Sequence, residues 1–165
     1  MDEKIMVEQA KSGDKQAFAE LYTIYKDKLY RYAFFKLQNE QDATDAVSDC
    51  VLEAYRYITS LKNAQAFSGW IFKILYRCCS RKISEQATRR AQTEIPENLS
   101  YAEDFYNLEL SQALSALTGE ERDIVLLSAV AGYTSKEIAR LIGSKPNTVR
   151  SKLSRSLSKM RELLE

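Results

Sequence analysis

GYTSKEIARLIGSKPNTVRSKLSRSL, Gly132 to Leu157, holds two short segments of helical apolar period with Gly143 between them, and the second is studded with Lys145, Arg150, Lys152 and Arg155. Thr134 stands three residues before Glu137, the spacing of a capping box that opens a helix. Gly143 is placed to end that helix in a left-handed conformation, and Pro146 suits the first turn of the next, where its missing N–H costs nothing. The spacing therefore predicts a helix over Ser135–Ile142, a three-residue turn and a longer helix to about Leu164: a helix-turn-helix. Val149, Leu153, Leu157 and Met160 are expected to form the buried stripe of the second helix. Asn147, Arg150, Ser151 and Ser154 fall on the other side near its start, the part that enters a major groove in this motif. Arginine pairs bidentately with guanine and asparagine with adenine, whereas Lys145, Lys152, Arg155 and Lys159 suit phosphates. The plainer alternative is a packed helical hairpin with a solvated basic face. The agreement in register of capping box, glycine, proline and polar face favours DNA.

Working outward, Thr118 and Glu121 repeat the capping-box spacing and open a helix to about Val130, and Leu108, Leu110, Leu114 and Leu117 start another before it. Residues 87–107 are polar and charged, contain Pro96, and read as a linker. Upstream, Asp14 is a plausible cap for a long helix whose apolar residues run from Phe18 through Leu21, Tyr25, Leu29 and Tyr32 to Leu37. Asn39 interrupts it. A second helix, about Gln41–Ile58, carries Ala43, Ala46, Val47, Cys50, Val51 and Ala54 as its stripe. Thr59–Phe67 has no clean period and reads as a loop, and a third helix, about Phe67–Gln86, turns Trp70, Ile71, Ile74, Leu75, Cys78 and Ile83 inwards. No stretch alternates as a strand does. The expected fold is all-α: two small helical domains, 1–86 and 108–165, joined by 87–107.

Composition narrows the function. There is no histidine, which removes the commonest general base and metal ligand, and three cysteines without CxxC spacing do not form a disulfide framework. No cofactor, metal or catalytic residue is expected. No apolar run approaches a membrane span and the N-terminus lacks a signal-peptide core, so a soluble, cytoplasmic protein without direct membrane insertion is expected. The net charge of +1 conceals alternation: −3 over residues 1–60, +6 over 61–90, −7 over 91–123 and +5 over 124–165. Two basic blocks on separate helical segments suggest two contacts with a polyanion.

The stretch from Leu117 to Leu164 resembles the C-terminal, minus-thirty-five-reading domain of bacterial RNA polymerase sigma factors, the small extracytoplasmic-function (ECF) group in particular. The resemblance rests on Leu117, Arg122, Glu137, Ile138, Ala139, Gly143, Thr148, Val149, Arg150, Ser151, Lys152 and Leu153. Lys145 stands where the family usually has proline or serine, with Pro146 one later. Asp42, Ala43, Asp45 and Asp49 resemble the family's segment that docks on the clamp helices of the polymerase largest subunit; Ser48 and Val51 replace its usual glutamine and aromatic residue. Phe67, Trp70, Ile71, Lys73 and Ile74 resemble the helix that melts and reads the minus-ten element. Arg77 and Arg81 stand where many members carry Asn and Asp.

The resemblance implies site residues. Asp42, Asp45, Asp49 and Glu53, on one helix face, would meet a basic surface of core polymerase, although dipole complementation at a helix start is the bland reading of the same carboxylates. Lys62, Asn63, Gln65 and Phe67 would form the pocket for a flipped minus-ten base, and Lys73, Arg77, Arg81 and Lys82 would follow its backbone. Trp70 is expected in the core. Lys145, Asn147, Thr148, Arg150, Ser151, Lys152, Ser154 and Arg155 would meet the minus-thirty-five element. Core RNA polymerase (clamp helices and flap), promoter DNA and an anti-sigma factor, often membrane-bound in this family, are the implied partners. The acidic segment 91–123 would run near the polymerase cleft. The rival reading from another class is a dimeric DNA-binding regulator that binds a palindrome unaided; an enzyme comes third, since no acid–base or metal set is visible.

Overall fold

The computed structural model describes residues 2–92 and 105–165. Eight α-helices occur among them: α1 (Glu3–Lys11), α2 (Lys15–Leu37), α3 (Glu40–Tyr57), α4 (Phe67–Gln92), α5 (Phe105–Ser115), α6 (Gly119–Ala129), α7 (Ser135–Ile142) and α8 (Pro146–Leu164). No strand is found among the described residues. The helix starts follow local chemistry. Asp14 accepts from the N–H groups of Gln16 and Ala17, and Asn39 from that of Asp42, so the residue that interrupts α2 also opens α3. Both threonine capping boxes form. Gly143, at φ 74°, ends α7 in the left-handed region, and Pro146 occupies the first turn of α8.

Four features depart from the sequence expectation. Helix α1 was not anticipated: nine residues with Met6, Val7 and Ala10 buried against α2 give too short a period to stand out. Helix α4 continues six residues beyond Gln86 to Gln92; most of the remainder of the expected linker, including Pro96, lies outside the described residues. In α8 the buried stripe is Val149, Ser156 and Met160 with Leu153 half-buried, while Leu157 is exposed. At about 100° per residue, Ser156 lies nearer the centre of that stripe than Leu157 does. Ile83 of α4 is exposed for the same reason, being well round the helix from Ile71 and Leu75.

Helices α1–α4 form one bundle and α5–α8 a second, in which α8 packs on α5, α6 and α7. The segment between α3 and α4 forms two 3₁₀ turns, Ile58–Ser60 and Ala64–Ala66, and Leu61 and Ala64 pin it to the core. The bundles meet at the end of α2, where Tyr32, Ala33, Phe34, Phe35, Lys36 and Leu37 are all buried in succession. A helix packed on one side only cannot bury six consecutive residues.

Candidate nucleic-acid and partner surfaces

On α8, the polar side that the sequence assigns to DNA is exposed at Lys145, Asn147, Arg150, Ser151, Ser154 and Arg155, while Thr148 is half-buried beside buried Val149. The Arg150 guanidinium donates to Asn147 Oδ1 one turn back, which aligns the two base-pairing side chains with each other. Lys152 is held away from that face: its Nζ lies 3.0 Å from Glu120 Oε1 of α6.

In the loop before α4, Lys62, Asn63 and Gln65 are exposed around the buried anchors Leu61 and Ala64. Asn63 Oδ1 accepts from the Gln65 N–H at 3.0 Å, which shapes the turn and leaves the Asn63 amide N–H₂ facing outwards to donate. Phe67, assigned to the base pocket from the sequence, is 1% exposed, with its ring packed edge-on to Tyr25 and tilted against Trp70. It supports the loop from below; a base would have to meet its neighbours. Trp70 itself is half-buried against the core, on the side expected for packing. Along α4, Lys73, Arg77 and Arg81 form an exposed basic stripe. Lys82 leaves it: its Nζ is 3.3 Å from Glu85 and 3.7 Å from Asp45, and these carboxylates raise its pKa against the opposing effect of burial.

The acidic side of α3 divides. Asp42 is 4% exposed, and its Oδ2 accepts from Gln86 Nε2 at 2.6 Å and Arg89 Nη2 at 2.9 Å. It ties the start of α3 to the last turns of α4, and both donors lie at or beyond the point where the sequence pattern lapsed. Its carboxylate is therefore engaged within the chain. Asp45 is partly exposed and accepts from Gln41 Nε2 at 3.1 Å; Asp49 is exposed and Glu53 half-buried. Between the last two sits Leu52, 66% exposed, an apolar side chain that the sequence reading passed over. Its signal was present: Leu52 falls one residue past the apolar stripe, in register with Asp45 and Asp49. An exposed leucine ringed by carboxylates has the make-up of an interface core with a polar rim.

The three cysteines are buried thiols. Burial pushes Cys78 up to about 11 and raises Cys50 and Cys79 further. They are protonated at neutral pH and inert as nucleophiles.

Comparison with known proteins gives matches over both helical bundles. The family pattern for sigma-70 region 2 matches residues 21–89, and that for sigma-70 region 4 matches residues 107–160. The RNA polymerase sigma factor SigV of Bacillus subtilis is 30% identical over 154 residues, covering 92% of this chain and 93% of its own length. The ECF RNA polymerase sigma factor SigM of Mycobacterium tuberculosis is 28% identical over 156 residues, covering 93% and 80%. Among solved structures, CnrH in complex with the cytosolic domain of CnrY aligns with TM-score 0.73 at 23% identity, over 98% of this chain and 96% of that one. The sigma factor RpoE in complex with the anti-sigma factor NepR from Bartonella quintana aligns with TM-score 0.75 at 20% identity, over 89% and 96%. These structural likenesses concern the fold.

Proposed function

This chain belongs to the ECF group of RNA polymerase sigma factors, and from that premise we propose which surface carries each step of promoter-directed initiation. The protein is a non-enzymatic initiation factor, so its residues bind and position while the polymerase makes the phosphodiester bond. In our reading Asp45, Asp49 and Leu52 of α3 dock on core polymerase. Lys62, Asn63 and Gln65 capture a minus-ten base, with Lys73, Arg77 and Arg81 along its backbone. Asn147 and Arg150 read the minus-thirty-five element, with Lys145 and Arg155 on flanking phosphates.

The observation that carries this reading is the separation of charge by element: the carboxylates of Asp45 and Asp49 beside an exposed leucine on α3, and exposed cations on α4 and on the start of α8. Opposite surfaces for enzyme and template are what a bridging subunit requires. Two solved proteins of the same fold are complexes with CnrY and with an anti-sigma factor, which supports control of this chain by an anti-sigma factor in the cytoplasm. No helix among the described residues is long and apolar enough to cross a membrane.

Run-off transcription from a promoter library with purified bacterial core polymerase tests the proposal. Specific transcripts should appear only when the protein is added. Tight binding of free protein to a palindromic duplex at about 0.15 M salt, without effect on transcription, would favour the stand-alone regulator instead.

A further inference from the structure

We propose that Tyr57 is the stacking platform for an unpaired minus-ten base, supplying the aromatic face that buried Phe67 withholds. The inference rests on the reading of Lys62, Asn63 and Gln65 as base-capturing residues and deepens it. Donors alone hold a base weakly, because water competes for the same acceptors. Sites that hold single strands add an aromatic side chain on which the base stacks. Most aromatic rings near the loop are engaged elsewhere. Phe67 is 1% exposed, packed against Tyr25 and Trp70, and Trp70 is half-buried against the core. Tyr55 meets Phe18 of α2 edge-on, with ring centroids 5.1 Å apart. Tyr57 is 51% exposed, more than Tyr22 or Tyr55, and its ring meets no other aromatic ring among the described residues.

The place of Tyr57 follows from the pairing of α3 with α4. The two helices run antiparallel: Asp42 accepts from Gln86 and Arg89, whereas Cys50, further along α3, donates its thiol to the Ile71 carbonyl near the start of α4. Tyr57 comes seven residues after Cys50, within about 20° of two full turns, so it shares the side of α3 that faces α4. Seven residues back from Ile71 is position 64, in the 3₁₀ turn Ala64–Ala66. Tyr57 therefore stands level with the turn that Asn63 caps and that carries Gln65. The path of the chain agrees. Tyr57 is the last residue of α3, Ser60 Oγ donates to its carbonyl at 2.7 Å, and buried Leu61 and Ala64 hold the loop against the core.

This juxtaposition divides the work by direction. Asn63 Oδ1 is taken by the Gln65 N–H, so the Asn63 amide N–H₂ donates outwards, and exposed Lys62 adds a cation. These groups meet the edge of a base, and the Tyr57 ring meets its face. Lys73 and Arg77, exposed further along α4, take the phosphates. The ring needs little ordering, because the helix fixes its backbone and a tyrosine has few side-chain torsions to lose. A single exposed tyrosine on a plain surface carries no meaning. Here the ring is level with exposed donors while the neighbouring rings are closed off, and donors beside a free aromatic face are what a single-strand site requires. Stacking tolerates any base, so Tyr57 supplies affinity and the loop donors supply choice.

The test uses holoenzyme, assembled from core polymerase and the full chain, on a promoter found by run-off transcription. Nontemplate strands carrying one abasic nucleotide at successive minus-ten positions provide the second arm. Tyr57→Ala should shorten the open-complex half-life about tenfold, and Tyr57→Phe, which keeps the ring, should restore it to within about twofold of wild type. Both variants should match wild type in helix content by circular dichroism and in affinity for core polymerase. At one minus-ten position the abasic strand should cost wild type about tenfold and cost Tyr57→Ala nothing further, the non-additivity of two groups in contact. An unchanged half-life in folded Tyr57→Ala, a Tyr57→Phe as weak as Tyr57→Ala, or abasic losses that add at every position would each overturn the proposal. A fall in core affinity that matched the fall in half-life would also overturn it and move Tyr57 to the polymerase surface. Absence of any wild-type transcript would strike instead at the sigma-factor reading, and the stacking role would fall with it.

Discussion

Asp42 and Asp49 sit two turns apart on α3 and have opposite surroundings. The first accepts from Gln86 and Arg89 in a nearly closed site; the second faces water. Asp42→Ala removes the buried carboxylate that ties the start of α3 to Gln86 and Arg89 of α4, so a stability loss of about 1–3 kcal/mol is expected by urea titration, with core affinity of the folded fraction little changed. Asp49→Arg should leave the urea midpoint in place and weaken core binding about tenfold, roughly 1.4 kcal/mol, in a fluorescence titration; equal core affinity of Asp49→Arg and wild type would remove α3 from the docking surface. The thiols give a pH prediction. Burial raises Cys78 to about 11 and Tyr25 and Tyr133 to about 12, and raises Cys50 and Cys79 as well. In the unfolded chain these groups lose their protons at lower pH than in the fold. The native state therefore holds more protons through this window, and stability falls as pH rises from about 9 through 11. Urea midpoints at pH 8 and pH 10 should show that drop, and a flat profile would mean the side chains are wetter than described.

At the scale of the helix, local signals controlled the starts and stops. Thr134 accepts from the Glu137 N–H and Glu137 Oε1 accepts from the Thr134 N–H, so both ends of the box are closed. Thr134→Ala should cost about 1 kcal/mol and fray the first turn of α7; amide exchange at Lys136–Ile138 would accelerate while the N-terminal bundle keeps its protection. Such boxes, Gly143, Pro146 and the Asp14 cap were legible because each depends on residues within four positions. What escaped the sequence depends on partners far along the chain. Asp42 reads as one more exposed carboxylate until α4 is known to reach Arg89, forty-seven residues on. Phe67 reads as part of the base pocket until Tyr25 and Trp70 are seen to pack against it. Leu157 and Ser156 exchange roles through a rotation of one residue, finer than a four-three spacing resolves. Leu52 was visible but lay among charges, where an apolar side chain is easily assigned to the neighbouring stripe.

For the molecule as a whole, the telling segment is AFFKL, Ala33–Leu37. Its apolar residues cover more of the helix circumference than one packed face needs, and Lys36 in their midst is buried with them. The second bundle supplies the missing cover and the missing counter-charge. Burial raises the pKa of Asp123 despite Lys36, so the carboxylate loses solvation that the pair only partly returns. Two variants that each remove the Lys36 cation, one of them together with its counter-charge, should then differ sharply. Lys36→Ala strands Asp123 without its cation and should cost about 3–5 kcal/mol, whereas Lys36→Met with Asp123→Leu should be neutral or stabilising by about 1–4 kcal/mol. Urea titrations of both variants, followed by circular dichroism, measure this. The double variant should also hold the bundles together more tightly than wild type, because nothing charged regains hydration on opening. If both variants lost equal stability, the pair would be a net source of cohesion between the bundles. If the double variant alone were stabilised, the buried pair would be a net cost that the apolar contact around it outweighs.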